Sequence, residues 1–186
     1  MKPFTTETIA SAASRLRRGE TSARELTERC LAAMAEHGAR TNAFTLVHEA
    51  SARRTADRAD RELAEGRDRG PLHGIPMSIK DLIDEAGVPN TAGSKALNDW
   101  VPREDAPLVA RLRKAGAIVI GRTNLHEFAL GTTSEESGFG PVRNPYDVSR
   151  SPGGSSGGSG VAVATGMSLG SIGTDTGGSV RIPAAA

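Results

Sequence analysis

Residues 106–121, Ala106-Pro107-Leu108-Val109-Ala110-Arg111-Leu112-Arg113-Lys114-Ala115-Gly116-Ala117-Ile118-Val119-Ile120-Gly121, read as a helix, a stop and a strand. Asp105 stands where an N-cap belongs, and Pro107 falls in the first turn, where its missing N–H costs nothing. Gly116 ends the helix. The run Ala117 to Gly121 is continuously apolar, as strands covered on both faces are. Upstream, Gly74-Ile75-Pro76-Met77-Ser78-Ile79-Lys80-Asp81-Leu82-Ile83 reads as another buried strand. Strand, helix, strand in that order predicts an α/β layer architecture with a largely parallel sheet.

The N-terminal third reads as helix. Thr8 to Arg18 carries Ile9 and Leu16 on one stripe and stops at Gly19. Ser22 with Glu25 forms a capping-box pattern ahead of Leu26, Cys30, Leu31 and Met34, and Gly38 is the expected break. Cys30 lies between Leu26 and Met34 at helical spacing, which predicts a packed core thiol. Ala43 to Val47 is a short strand or connector. Glu49 to Glu65, rich in Ala and in opposite charges, predicts a solvated helix ended by Gly66.

Composition narrows the function. The chain has 186 residues, one ordinary domain's length, with 23 basic and 22 acidic side chains. That balance holds along the chain and excludes a basic nucleic-acid footprint. Aromatic residues are 3%, so the core must rest on Ala, Leu, Ile and Val. One cysteine excludes an internal disulfide. The N-terminal MKPFTTETIASAASRLRRGE has no continuous apolar stretch, and none in the chain approaches 18 residues. A cytoplasmic protein without membrane contact is expected.

The segment from Gly153 to Gly178 interleaves glycine with serine, which suggests a flexible linker. Val161-Ala162-Val163-Ala164 and Leu169-Gly170-Ser171-Ile172 argue against that, because a linker has no reason to keep them. Clustered glycines can aim backbone N–H groups at one anion. SPGGSSGGSG lacks the lysine of a phosphate-binding loop, so the alternative use is an oxyanion hole beside a nucleophilic serine. Gly153-Gly154-Ser155-Ser156-Gly157 fits the G-x-S-x-G elbow, yet no histidine follows His126 to complete a Ser-His-acid triad. His37, His48, His73 and His126 make no metal-binding pattern.

Without histidine, a neutral lysine can activate serine if burial lowers its pKa. Lys2, Lys95 and Lys114 sit among polar residues. Lys80 alone lies in an apolar strand, on one face with Ser78 at a period of two. A strand-end lysine paired with Asp81 or Asp84 remains the competing reading at this point.

GIPMSIKDLID at 74–84, FGPVRNPYDVSRSPGGSSGGSG at 139–160 and GTDTGGSVRIPAA at 173–185 closely resemble the amidase signature enzymes in order and spacing, and the likeness runs over nearly the whole chain. The resemblance implies a mixed, largely parallel central sheet covered by helices. It also implies a helical region at 1–70 and a catalytic core at 71–186, within one domain. It further implies a Ser–cisSer–Lys triad: Ser179 as nucleophile, Ser155 after a cis Gly154–Ser155 bond as proton relay, and Lys80 as base. The N–H groups of Thr176, Gly177, Gly178 and Ser179 would form the oxyanion hole. Ser156 and Ser159 would support the loop, and Asp175 and Arg181 would hold the nucleophile segment. The implied reaction is hydrolysis of a carboxylic amide through an acyl-enzyme, on a small-molecule substrate, with no metal or organic cofactor and no direct nucleic-acid contact. Family members continue well past the position of Ala186, so an incomplete C-terminal part with exposed apolar edges is expected. Two alternatives stand beside hydrolysis: the amidase (A) subunit of a glutamyl-tRNA amidotransferase, with partner subunits, and an inactive ligand-binding fragment. A homodimer is a further possibility.

Overall fold

The computed structural model describes residues 4–186; Met1 to Pro3, and Lys2 with them, lie outside the described residues. Helix α1 (Ile9–Arg17) starts at a reciprocal cap in which Thr8 Oγ1 accepts from Ser11 N and Ser11 Oγ accepts from Thr8 N. Helix α2 (Ala23–Thr41) opens on the expected Ser22/Glu25 box, with bonds of 3.0 and 3.1 Å. Asp60 adds a second cap by accepting from Ala23 N and Arg24 N, two donors the first turn leaves free. Gly38 does not break this helix. A mid-helix glycine costs only about 1 kcal/mol relative to alanine, and the helix runs on to a left-handed Asn42. Asn42 Nδ2 donates to the carbonyls of Phe139 and Gly140, so a distant loop fixes the helix end.

Strand β1 (Phe44–Val47) leads into α3 (Glu49–Ala64). The helix is not simply solvated: Ala52, Ala56 and Ala59 recur on one face and are buried, and α3 packs on α2 and on the sheet. Strand β2 (Pro76–Lys80) is buried at every residue and ends where Leu82 N and Ile83 N both donate to the Lys80 carbonyl. Helix α4 (Pro107–Lys114) begins without a side-chain cap. Asp105 sits one residue too early, and its carboxylate accepts instead from Ala86 N and Arg113 Nη1. Strand β3 (Ile118–Thr123) extends two residues past the apolar run. Helix α5 (Gly157–Ala164), strand β4 (Gly170–Ile172) and helix α6 (Arg181–Ala185) complete the described α-helices and strands.

The sheet order is β1-β3-β2-β4, with β1 antiparallel to β3 and the other pairs parallel. It is thus mixed and largely parallel. Leu16, Leu26 and Ala56 from the helical third share one apolar core with Ile79, Ile118 and Val161. The glycine-serine block is ordered structure. A Cβ on Gly158 would overlap the carbonyl oxygens of Ala43 and Asn124, so glycine is what lets α5 press onto the backbone leaving the sheet.

Arg122 can occupy a buried strand because its charge is met. The guanidinium is fully buried; Nε donates to Asp81 Oδ1 at 2.7 Å and Nη2 to the Ile83 carbonyl at 2.9 Å. Asp81 also accepts from the hydroxyls of Thr45 and Thr91. Removing one partner of a buried pair strands the other charge, at a cost of about 3–5 kcal/mol. Arg122→Met is therefore expected to shift the urea midpoint, followed by circular dichroism, sharply downward. Adding Asp81→Asn should recover part of the loss; an Arg122→Met chain as stable as the parent would refute this account.

Candidate active site

Lys80 ends β2, opposite Thr123 of β3, with its side chain wholly buried. Nζ donates to Ser155 Oγ at 2.7 Å and to Thr174 Oγ1 at 2.9 Å. The competing strand-end pairing is not what forms: Asp81 is turned to Arg122, and Asp84 accepts from Asn90. With hydroxyls rather than a carboxylate around it, burial disfavours the ammonium form. The pKa is pushed down to about 8, with the charge of Asp175 opposing the shift.

The Gly154–Ser155 peptide bond is cis. The Ser155 carbonyl accepts from His126 N at 3.1 Å and Ser134 Oγ at 3.2 Å, while Ser134 Oγ also accepts from Gly157 N. A Cβ on Gly154 would meet Ser134 N and Oγ at 2.8 Å, so the loop lies directly against this serine. Ser156 and Ser159 are held in the loop and helix by hydrogen bonds. Ser156 Oγ donates to the Thr174 carbonyl, and Ser159 Oγ meets Thr123 Oγ1. That last contact fixes α5 over the sheet face bearing Lys80.

Asp175 organises the segment leading to Ser179. Its carboxylate accepts from Gly178 N, Val180 N and Arg181 N, and forms an ion pair with Arg181 at 2.7 Å. The Arg181 guanidinium, then these backbone donors, hold the Asp175 carboxyl well below the usual range. The Gly178 N–H, expected in the oxyanion hole, donates to Asp175 Oδ1, 2.9 Å away. Thr176 N and Gly177 N have no hydrogen-bond acceptor among the described residues, and a Cβ on Gly177 would meet nothing within 4 Å.

Ser179 is buried at 7% exposure. Its carbonyl accepts from Ser156 N at 3.0 Å, which ties the two serine loops together through the backbone. Its hydroxyl bonds to none of the described residues. The structure thus joins Lys80 to Ser155 and docks the Ser179 loop beside them, without a Ser155–Ser179 side-chain bond. Sequence reasoning missed Thr174 and Ser134. Thr174 carried a signal in GTDTGGS, as a hydroxyl residue in the loop that must cover the lysine. Ser134, at a left-handed φ of 57°, carried none. Cys30 is the packed core thiol its spacing predicted: it is buried, and burial pushes the thiol up to about 12.

Comparison with known proteins bears on the family of the chain. The family model described as Amidase matches residues 25–186. The A subunit of the glutamyl-tRNA(Gln) amidotransferase of Roseiflexus castenholzii is 48% identical over 185 residues, covering 100% of this chain and 38% of the relative. A crystal structure of an amidase superposes with a TM-score of 0.89 at 47% identity, over 96% of this chain and 41% of the other. The native peptide amidase of Stenotrophomonas maltophilia gives a TM-score of 0.90 at 41% identity, over 98% and 39%. The chain spans about two-fifths of the length of the relatives it matches. It belongs to the amidase family.

A lowered lysine pKa has a signature in stability. The folded amine titrates near 8 and the unfolded one at its ordinary 10.5. Between those values the folded state binds fewer protons, so stability rises with pH. The contribution is complete above about 10.5 and is lost as pH falls through about 8. Urea titrations across this window should show the slope in the parent chain and lose it in Lys80→Met. Equal slopes in the two would contradict a depressed pKa.

Proposed function

We propose that this member of the amidase family cleaves the C–N bond of a carboxylic amide through a serine acyl-enzyme. The single observation that carries the reading is the contact of a wholly buried, carboxylate-free lysine with Ser155 at 2.7 Å. A lysine poised near 8 is deprotonated in a useful fraction at neutral pH. When Nζ loses its proton the same contact reverses, and Ser155 Oγ donates to the nitrogen lone pair. Ser155 Oγ can then take the proton of Ser179 as Ser179 Oγ attacks the carbonyl carbon.

The oxygen that gains negative charge in that step needs donors already in place. The free N–H groups of Thr176 and Gly177 suit it, and the open side of Gly177 leaves room for substrate against the backbone. As the tetrahedral adduct collapses, the proton held by Lys80 returns through Ser155 to the departing amine. Water enters by the reverse path and releases the carboxylate. Asp175 and Arg181 shape the loop and take no proton in this scheme.

A second reading concerns what becomes of the ammonia. The curated relatives include the A subunits of glutamyl-tRNA(Gln) amidotransferases at 44–48% identity, which favours a chain that works beside partner subunits. Both readings share the acyl-enzyme and differ only after it forms. A small-molecule amide is the substrate class for either.

Intact mass after exposure to a fluorophosphonate should show one adduct, absent in Ser179→Ala. Its formation rate should rise about tenfold per pH unit toward a plateau above the Lys80 pKa, because only the neutral amine accepts a proton. Lys80→Ala should slow labelling at neutral pH by about 10²-fold or more, with partial recovery in alkali. Labelling that survives Ser179→Ala, or a rate unchanged by Lys80→Ala, would overturn the assignment. Failure to label in a cooperatively folded chain would favour a ligand-binding fragment.

A further inference from the structure

The two faces of the sheet part at the end of β2. Lys80 stands opposite Thr123, which meets Ser159 of α5, whereas Ile79 stands opposite Arg122, and successive strand residues point to opposite faces. Arg122 reaches Glu85 at 3.4 Å, and Glu85 walls a cleft of about 240 Å³ between α3 and α4. The cleft therefore lies on the face turned away from the lysine. Arg58, Arg69 and Arg113 line it, against Glu62 and Glu85. Both carboxylates are already answered. Glu62 accepts from Arg69 Nε at 2.8 Å and from His73 Nε2 at 3.1 Å; Arg69 N donates to Nδ1 of the same ring, which places the imidazole proton on Nε2. Glu85 accepts from Arg113 Nη2 at 2.7 Å and meets His48 Nε2 at 2.9 Å.

Arg58 is the charge left over. Arg53 of the same helix pairs with Glu28 and Glu49, but Arg58 is exposed and meets no carboxylate among the described residues. Thr55, one turn earlier on the cleft, has a hydroxyl that bonds to none of the described residues. Across from them Arg113 commits Nη1 to Asp105 and Nη2 to Glu85, which leaves its Nε–H free. Arg54 and Arg61, on the adjacent turns of α3, are exposed and unpaired among the described residues in the same way. Like charges on adjacent helix turns repel, so the stripe is unfavourable until an anion answers it. Guanidinium forks match the oxygens of carboxylate and phosphate groups. The volume equals that of about eight waters at roughly 30 Å³ each, which suits a compact ligand. We propose that the α3–α4 cleft binds a small oxyanion, a carboxylate or a phosphate, through Arg58, the Thr55 hydroxyl and Arg113 Nε. The site is separate from the candidate active site and does not depend on the triad assignment.

Titration calorimetry on the whole chain tests this, with sodium phosphate and sodium citrate as probes and sodium chloride of matched ionic strength as the screening control. Saturable binding of one equivalent is expected for at least one probe and not for chloride, and the tighter probe tells phosphate from carboxylate. Arg58→Gln should weaken binding about tenfold or more. Arg111→Gln, which removes an exposed arginine of α4 outside the cleft, should change it less than about twofold. Phenylglyoxal modification with peptide mapping locates the ligand: saturating anion should slow reaction at Arg58 about fivefold or more and leave Arg111 unchanged. Ser179→Ala should bind as the parent does, because these measurements read the cleft and the fluorophosphonate reads catalysis. No saturable binding of either probe, an affinity unchanged by Arg58→Gln, or equal protection of Arg58 and Arg111 overturns the proposal.

Discussion

Strand β2 is paired along both edges and covered on both faces, and it ends in a lysine that meets no carboxylate. Much of the remaining architecture answers that constraint. A buried ammonium group is costly unless its donors are satisfied. Only small hydroxyl residues can reach it without supplying a charge that would pin the proton. Ser155 and Thr174 come from two different loops, so both must be delivered to the same point above the sheet. Arg122 makes this possible from below by holding the adjacent Asp81, together with Thr45 and Thr91. The nearest carboxylate in sequence is thereby committed elsewhere.

Delivering the loops explains the glycine. Gly154 lies against Ser134, and Gly158 against the carbonyls of Ala43 and Asn124, at distances no side chain tolerates. These residues are small because neighbouring backbone occupies the space, which is the opposite of a flexible linker. Ser134 then bonds both the Ser155 carbonyl and Gly157 N, so one buried hydroxyl sets the position of the loop and the start of α5 together.

What the sequence made legible was local or carried by a distinctive pattern. The apolar run Ile118 to Ile120, the Ser22/Glu25 box and the lone lysine in an apolar strand each announced their structure. The misreadings share one cause: a partner far away in sequence. Gly38 fails to stop α2 because Asn42 finds its acceptors near residue 140. Asp105 turns from the cap position to Ala86, 19 residues upstream, and to Arg113 later on the same helix. Arg122 continues a strand that composition alone would end, because Asp81 is across from it. In the site, Lys80 and Ser155 were readable from motif and chemistry, whereas Ser134 and the hydroxyl of Thr174 acquire meaning only when the loops meet.

Asp175 shows how the site balances conflicting demands. Three backbone donors and Arg181 converge on its carboxylate, and that convergence gives the Ser179 segment its shape. The same negative charge raises the pKa of Lys80, against the direction in which burial moves it. Arg181, paired at 2.7 Å, supplies an opposing charge where the carboxylate sits. Opposite charges close together present mainly a dipole at longer range, so the loop keeps its organising anion while the lysine feels a reduced field. Burial then remains the dominant influence on Lys80. The ion pair is exposed on its arginine side and contributes little to stability by itself; its consequence lies in how it shapes the loop and the field around Lys80.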